Sequence, residues 1–250
     1  MKATSNSGPG LYLYGVSRSA AARPARLRSA GVDGVHPPHP RACDEFVCWV
    51  SDVDPHGFAA AMQRNMENLD WLALHSVRHQ QVVGEIAAKT TVIPARFATV
   101  FSGEAALFKN VRARKSALGK VFLKIANAEE WGVKVFAEAR PARAATRAAS
   151  SGKQYLQQKA ARLKQRPGRN DTQVAELATK LERLAQASAP TGKVSGARPD
   201  LLWQATFLLS RARRKQWDQT LKQFVKRWEG ARRIEVNGPW PPYSFVSDAE

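Results

Sequence analysis

Cysteine is close to absent: Cys43 and Cys48 are the only two in 250 residues, one before and one inside the apolar run Phe46-Val47-Cys48-Trp49-Val50. So few thiols imply no disulfide framework, and both read as reduced core residues. Long apolar runs are missing as well. No window approaches the roughly 18–20 residues of a membrane span, and Leu11–Val16 is too short for a secretory signal, so the chain reads as cytosolic with no membrane partner. Residues 17–30 are rich in Ala, Ser and Arg without acids, a transit-like composition, but a strand-like run precedes them and an exposed loop is expected. Signatures of chemistry are lacking too. There is no Gly-x-x-x-x-Gly-Lys, no Gly-x-Gly-x-x-Gly, no Gly-x-Ser-x-Gly and no carboxylate pair with an obvious shared pocket. These absences remove every positive reason to expect an enzyme, a catalytic residue or a cofactor.

Acids are scarce: 21 Asp and Glu stand against 39 Lys and Arg, a formal charge of +18. Lys109–Lys124 holds six basic residues and no acid, and Arg140–Arg169 holds nine and none. Such a field attracts nucleic acid, an anionic surface or an acidic protein without choosing among them. Base recognition normally interleaves exposed aromatics with the cations. Here Phe108 and Phe122 fall on the apolar face of a helical pattern and Tyr155 stands alone, so a solvated basic surface is the simpler reading and nucleic acid is not the expected partner.

What is present suits a folded α+β protein. The 44% apolar content and 250 residues leave room for one large domain or two ordinary ones. Leu11–Val16 reads as an opening strand, His36-Pro37-Pro38-His39-Pro40 as loop, and Phe46–Val50 as a strand buried on both faces. Asp54-Pro55 starts a helical pattern that breaks near Asn68 and runs to Lys89, turning Trp71, Leu72, Val82 and Ile86 inward. Thr90–Ile93 and Phe97–Phe101 are short strands around Pro94, and Ser102 caps a helix carrying Leu107, Val111, Leu118, Phe122 and Ile125. A second unit begins near Asn127: a strand at Val133 and Val135, helical pattern from Ser151 to Ala187 interrupted at Pro167-Gly168, and a loop at Pro190–Pro199 with a weak edge strand. The strongest strand, Leu201–Leu209, follows, then a helix with Trp217, Leu221, Phe224, Val225 and Trp228 inward, and a last strand at Ile234 and Val236. Strand, helix, weak strand, strand, helix, strand is the ferredoxin-like order. The expected domains are residues 1–126 and 127–250, with residues 238–250 as a strap on the second.

That strap is Gly238-Pro239-Trp240-Pro241-Pro242-Tyr243-Ser244-Phe245-Val246. Pro239, Pro241 and Pro242 fix φ and remove backbone donors, which predicts an extended segment, and Trp240, Tyr243 and Phe245 each need a surface to dock on. A stapled terminus explains it better than a proline-motif ligand. His36, His39, Cys43 and Cys48 lack the spacing of a zinc finger. His75 and His79 are four apart on a helix, but Ser76 takes the place of the glutamate in His-Glu-x-x-His, so the hydrolase reading has no base.

Five blocks, in order, carry a resemblance: Asn68-Leu69-Asp70-Trp71-Leu72; His79-Gln80-Gln81-Val82-Val83; Val92-Ile93-Pro94-Ala95-Arg96-Phe97-Ala98-Thr99-Val100-Phe101; Glu129-Glu130-Trp131-Gly132-Val133-Lys134-Val135; and the closing strap. Over roughly residues 11 to 246 the chain resembles the gas vesicle proteins F and L. Ala98 departs from the glycine usual there, so either the backbone is not in a glycine-only conformation or it is locally rearranged. The resemblance implies two α+β units, an N-terminal one and a modified ferredoxin-like C-terminal one, in an accessory or minor structural protein of gas vesicle formation. It also implies a partner, the small apolar shell protein (gas vesicle protein A), with other accessory proteins beside it, no cofactor, no metal and no catalytic residue. Arg96 and Phe97, beside a Pro94-bounded strand, are the partner-contact candidates; an internal ion pair for Arg96 and a core position for Phe97 remain open. The rival reading is an RNA-binding protein with a ferredoxin-like sheet and basic flanks.

Overall fold

The computed structural model describes residues 10–18, 27–54, 57–58, 60–138, 171–190, 198 and 200–247. They fall into two compact units: Met1–Asn127 with Trp240–Glu250, and Ala128–Pro239. The closing residues thus belong to the first unit, not to the second as the sequence suggested. The basic run Arg140–Arg169 and the Pro167-Gly168 interruption lie outside the described residues.

In the first unit, β1 (Gly10–Arg18) is central. It pairs antiparallel with β3 (Phe46–Val53), with β4 (Val92–Pro94) and with β5 (Val100–Phe101), and β2 (His39–Cys43) completes the edge beyond β3. Eight consecutive residues of β1 are buried, as a strand covered on both faces demands. Strand β2 was expected as loop because of Pro40. Its edge position explains the tolerance, since an edge proline faces outward with no ladder bond to lose. Helices α1 (Ala60–Arg64) and α2 (Leu69–Ala87) follow, and the Asn68 side chain caps α2 by accepting the Trp71 N–H at 3.1 Å. On α2, Val82, Val83 and Ile86 join Tyr12, Tyr14, Val47, Trp49 and Val53 in one buried cluster. The next helical stretch is two helices, α3 (Glu104–Ala113) and α4 (Lys115–Ile125), broken at Arg114; α3 starts at Gly103 with no side-chain cap, not at Ser102. Phe122 of α4 stacks on Phe46 with centroids 5.9 Å apart. The basic run here is partly neutralised: Arg112 bonds Asp44 at 3.2 Å and Lys115 pairs with Glu45 at 2.8 Å.

The second unit holds a four-stranded sheet in the order β7-β8-β6-β9. Its strands are β6 (Ala128–Ala137), β7 (Ala187–Pro190), β8 (Leu201–Ser210) and β9 (Arg232–Trp240), with α5 (Thr172–Leu184) before β7 and α6 (Arg214–Arg227) after β8. That is the ferredoxin-like order, with the weak edge strand a few residues earlier than predicted. Val174, Leu177, Leu181 and Leu184 of α5 pack with Trp217, Leu221 and Phe224 of α6 against Val133, Val135, Ala205, Phe207 and Leu209. Val225 does not join them; it stands 50% exposed. Asp171 caps α5 by accepting from Gln173 and Val174 and also takes Arg232 at 2.6 Å. Burial pushes the Asp171 carboxyl up, but Arg232 and the two N–H groups outweigh it and hold it below the usual range. Three arginines of this unit lie over rings: Arg214 stands 3.6 Å from the Trp131 centroid, Arg227 4.7 Å from Phe224 and Arg232 5.2 Å from Trp228.

Candidate functional site

The contact candidates Arg96 and Phe97 sit on the turn between β4 and β5. Arg96 is exposed, and its carbonyl accepts the Thr99 N–H at 3.3 Å and the Thr99 hydroxyl at 2.8 Å. Phe97 is half-buried against the core, its ring edge-on to His79 at 6.0 Å. Ala98 then takes a left-handed conformation, φ 72°, and its N–H donates to the Tyr12 hydroxyl at 3.1 Å. A glycine-like backbone is therefore kept without the glycine, at a cost of about 1 kcal/mol.

Behind this turn lies a chain of buried polar groups. The Tyr12 hydroxyl meets His79 Nδ1 at 2.9 Å, and His79 Nε2 meets the Tyr243 hydroxyl at 3.1 Å. The Tyr12 oxygen accepts from Ala98, so its own proton is available to Nδ1, and His79 also hydrogen-bonds the Ala95 backbone. Burial drives the His79 pKa down to about 4, so the imidazole is neutral and suits this pattern. Burial likewise pushes the Tyr12 phenol up, and the Tyr14 phenol to about 12. Tyr14 accepts the Val32 N–H at 2.7 Å and meets Ser51 Oγ at 2.9 Å, while Ser51 donates to the His36 carbonyl at 2.8 Å. These bonds tie the Ala98 turn, the loop at Val32 and His36, and the tail at Tyr243 to the core.

The tail is docked in part. Pro239 and Trp240 continue β9 instead of forming an extended strap, and Trp240 is 52% exposed, against the expectation that all three aromatics bury. Gly238 needs its φ of 140°, and a Cβ there would lie 2.8 Å from the Glu130 carbonyl oxygen and 2.9 Å from the Trp131 ring. Pro241 and Pro242 are buried, Tyr243 reaches His79, and Phe245 and Val246 are each 3% exposed. Val246 helps close a small apolar cavity of about 70 Å³ with Leu13, Val16, Ile93, Val111 and Leu118. The metal candidates take different structural roles. His75 Nδ1 bonds the Trp71 carbonyl at 2.7 Å, His36 Nδ1 pairs with Asp33 at 2.5 Å, and Cys43 and Cys48 are buried free thiols, the latter raised to about 12 by burial. No group of three or more metal-ligating side chains occurs among the described residues.

Sequence reasoning missed the outer face of α2. Leu69 is 79% exposed, Val77 54% and Leu74 50%; with Met66 in the turn before the helix, 56% exposed, they are four of the nine large exposed apolar side chains among the described residues. Of 19 residues in the helix, only Asp70, Arg78 and Glu85 are charged. Glu85 accepts from the Arg28 and Ser29 N–H groups, and the Arg78 guanidinium lies against Gly34, so both are turned toward residues 27–36. What remains outside is apolar and amide apart from the exposed Asp70, in a chain of charge +18. The signal was legible as Leu69, Leu74 and Val77 falling opposite the Val82–Ile86 face, but without coordinates a second apolar face reads as more core.

The model of the family described as gas vesicle synthesis protein GvpL/GvpF matches residues 10–247. Gas vesicle protein L of Streptomyces sp. (strain CB03234) is 30% identical over 208 residues, which cover 76% of each chain. Crystal structures of the gas vesicle protein GvpF from Anabaena sp. PCC7120 and from Microcystis aeruginosa share the fold, with TM-scores of 0.68 and 0.65, each at 19% identity. They span 96% of this chain and 97% and 100% of their own.

Proposed function

From the premise that the chain belongs to the gas vesicle GvpL/GvpF family, we propose that it is an accessory or minor structural protein of vesicle assembly that binds the small apolar shell protein, gas vesicle protein A. It makes and breaks no bonds; it works in the cytoplasm at the vesicle, and other vesicle accessory proteins are further partners. A shell that holds gas and excludes water needs subunits with a strongly apolar face, and before assembly such a face aggregates unless covered. The observation that carries the reading is the exposed apolar group of Leu69, Leu74 and Val77 on α2, with Met66 in the turn before it, left in solvent where a monomer gains nothing from it. Arg96, exposed on the β4–β5 turn, is a second contact, with Phe97 bracing the turn from beneath.

The RNA-binding alternative needs exposed rings as stacking platforms. Trp240 is the one largely exposed aromatic among the described residues, which does not favour it. The test is genetic. Deleting the gene removes buoyant, light-scattering cells, and the wild-type chain restores them; a Leu69→Asp, Leu74→Asp variant that accumulates normally does not. Normal vesicles in the deletion strain would overturn the reading.

A further inference from the structure

Strand β9 ends the second sheet, with β6 as its sheet neighbour among the described residues. Beside it, α6 overhangs the edge and encloses a groove of about 760 Å³. Its floor is apolar: Ile234 and Val236 from β9 and Val225 from α6, with Val225 and Val236 still 50% and 37% exposed. Trp131 lines the same groove, 95% buried, since only 5% of it is exposed, and its indole N–H has no hydrogen-bond partner among the described residues. Bases outnumber acids in the groove lining, with Arg214, Lys222, Lys226, Arg232 and Arg233 against Glu138, Asp218 and Glu229. Arg214 pairs with Asp218 at 2.8 Å, Arg232 with Asp171 and Arg233 with Glu235, and Lys222 and Lys226 of α6 stand exposed on the rim together with Glu138 and Glu229.

We propose that this groove receives an extended, carboxylate-bearing segment of a partner protein, added as a strand beside β9. An edge strand offers main-chain donors and acceptors, so its natural occupant is extended backbone. Alternate apolar side chains of that segment lie on Val225, Ile234 and Val236, and its carboxylates meet Lys222 and Lys226. A second copy of the chain is disfavoured, because bringing two such cationic helix–strand units together adds repulsion. The proposal is independent of the α2 surface and of the shell protein, and its test uses no vesicle component.

The probe is a fluorescein-labelled ten-residue peptide of alternating Val and Glu, titrated with the full chain and read by anisotropy. Binding is expected, weakened at least about tenfold by Val225→Asp and by the pair Lys222→Glu, Lys226→Glu, with unchanged thermal midpoints because these side chains are exposed. A peptide N-methylated on alternate amides should bind at least about tenfold more weakly, and the outward amides of residues 232–237 should exchange more slowly when the plain peptide is present. Absence of binding, equal binding of the N-methylated peptide, or outward β9 amides already protected in the free protein would overturn the proposal. The last result would mean that another part of the chain or a second copy holds the edge.

Discussion

Lowering the pH to 5 should destabilise the first unit through one imidazole. His79 is 1% exposed and lies between two phenols, with a pKa driven to about 4 by burial. In the unfolded chain the same group titrates near ~6.5. Because the folded value is the lower one, the proton prefers the unfolded chain; full stability is present above pH ~6.5 and is lost as the pH falls toward the folded value. Linkage between these two values gives a loss of about 2 kcal/mol from pH 8 to pH 5, rising to about 3 kcal/mol below pH 4. Urea unfolding followed by near-ultraviolet circular dichroism should register the first figure as a midpoint shift of about 1 M, taking a slope of about 2 kcal/mol per M. Carboxylates also titrate in acid, so the decisive quantity is the difference from His79→Gln. That difference should shrink by about 2 kcal/mol between pH 8 and pH 5. A difference unchanged to within about 0.5 kcal/mol would refute a neutral, desolvated His79.

Four further substitutions probe the packing. Phe245→Ala should cost about 3–5 kcal/mol in urea unfolding while Trp240→Ala costs less than about 1; equal costs would contradict the docking of Phe245 against an exposed Trp240. Ala98→Gly should raise stability by up to about 1 kcal/mol, since φ 72° strains an alanine, and a drop would mean that the turn is held differently. Asp171→Ala removes both the α5 cap and the Arg232 partner, and should cost about 2–3 kcal/mol in the second unit. A loss below about 0.5 kcal/mol would show that neither contact contributes.

Most of the second unit was legible because its elements are strongly periodic. The Val174–Leu184 stripe predicts α5, and alternation in Leu201–Leu209 predicts β8. Val225 was misplaced because a helix face is read only to within about one residue's rotation, and nothing in the sequence says where the sheet beneath it ends. In the first unit, β2 was hidden by Pro40, whose edge location depends on the neighbours that β3 acquires. The α3–α4 break at Arg114 leaves the apolar spacing nearly intact, so periodicity alone runs through it. For the tail, three prolines suggested a strap, whereas β9 continues through Pro239 to Trp240 because its place at the sheet edge spares the missing donor. The His79–Tyr12–Tyr243 chain joins residues 67 and 164 positions apart, beyond the reach of any local pattern. The outer face of α2 was the largest miss, since an apolar residue at helical spacing gives no sign of whether its partner lies in the same chain.

Direct binding of the shell protein tests the central claim. Gas vesicle protein A, kept dispersed with the wild-type chain by co-expression, should co-elute with it in size exclusion and remain soluble after high-speed sedimentation. With Leu69→Asp, Leu74→Asp, at an unchanged thermal midpoint, it should pellet. Equal co-elution of both forms would contradict the α2 surface, and no co-elution with the wild-type chain would contradict shell-protein binding itself.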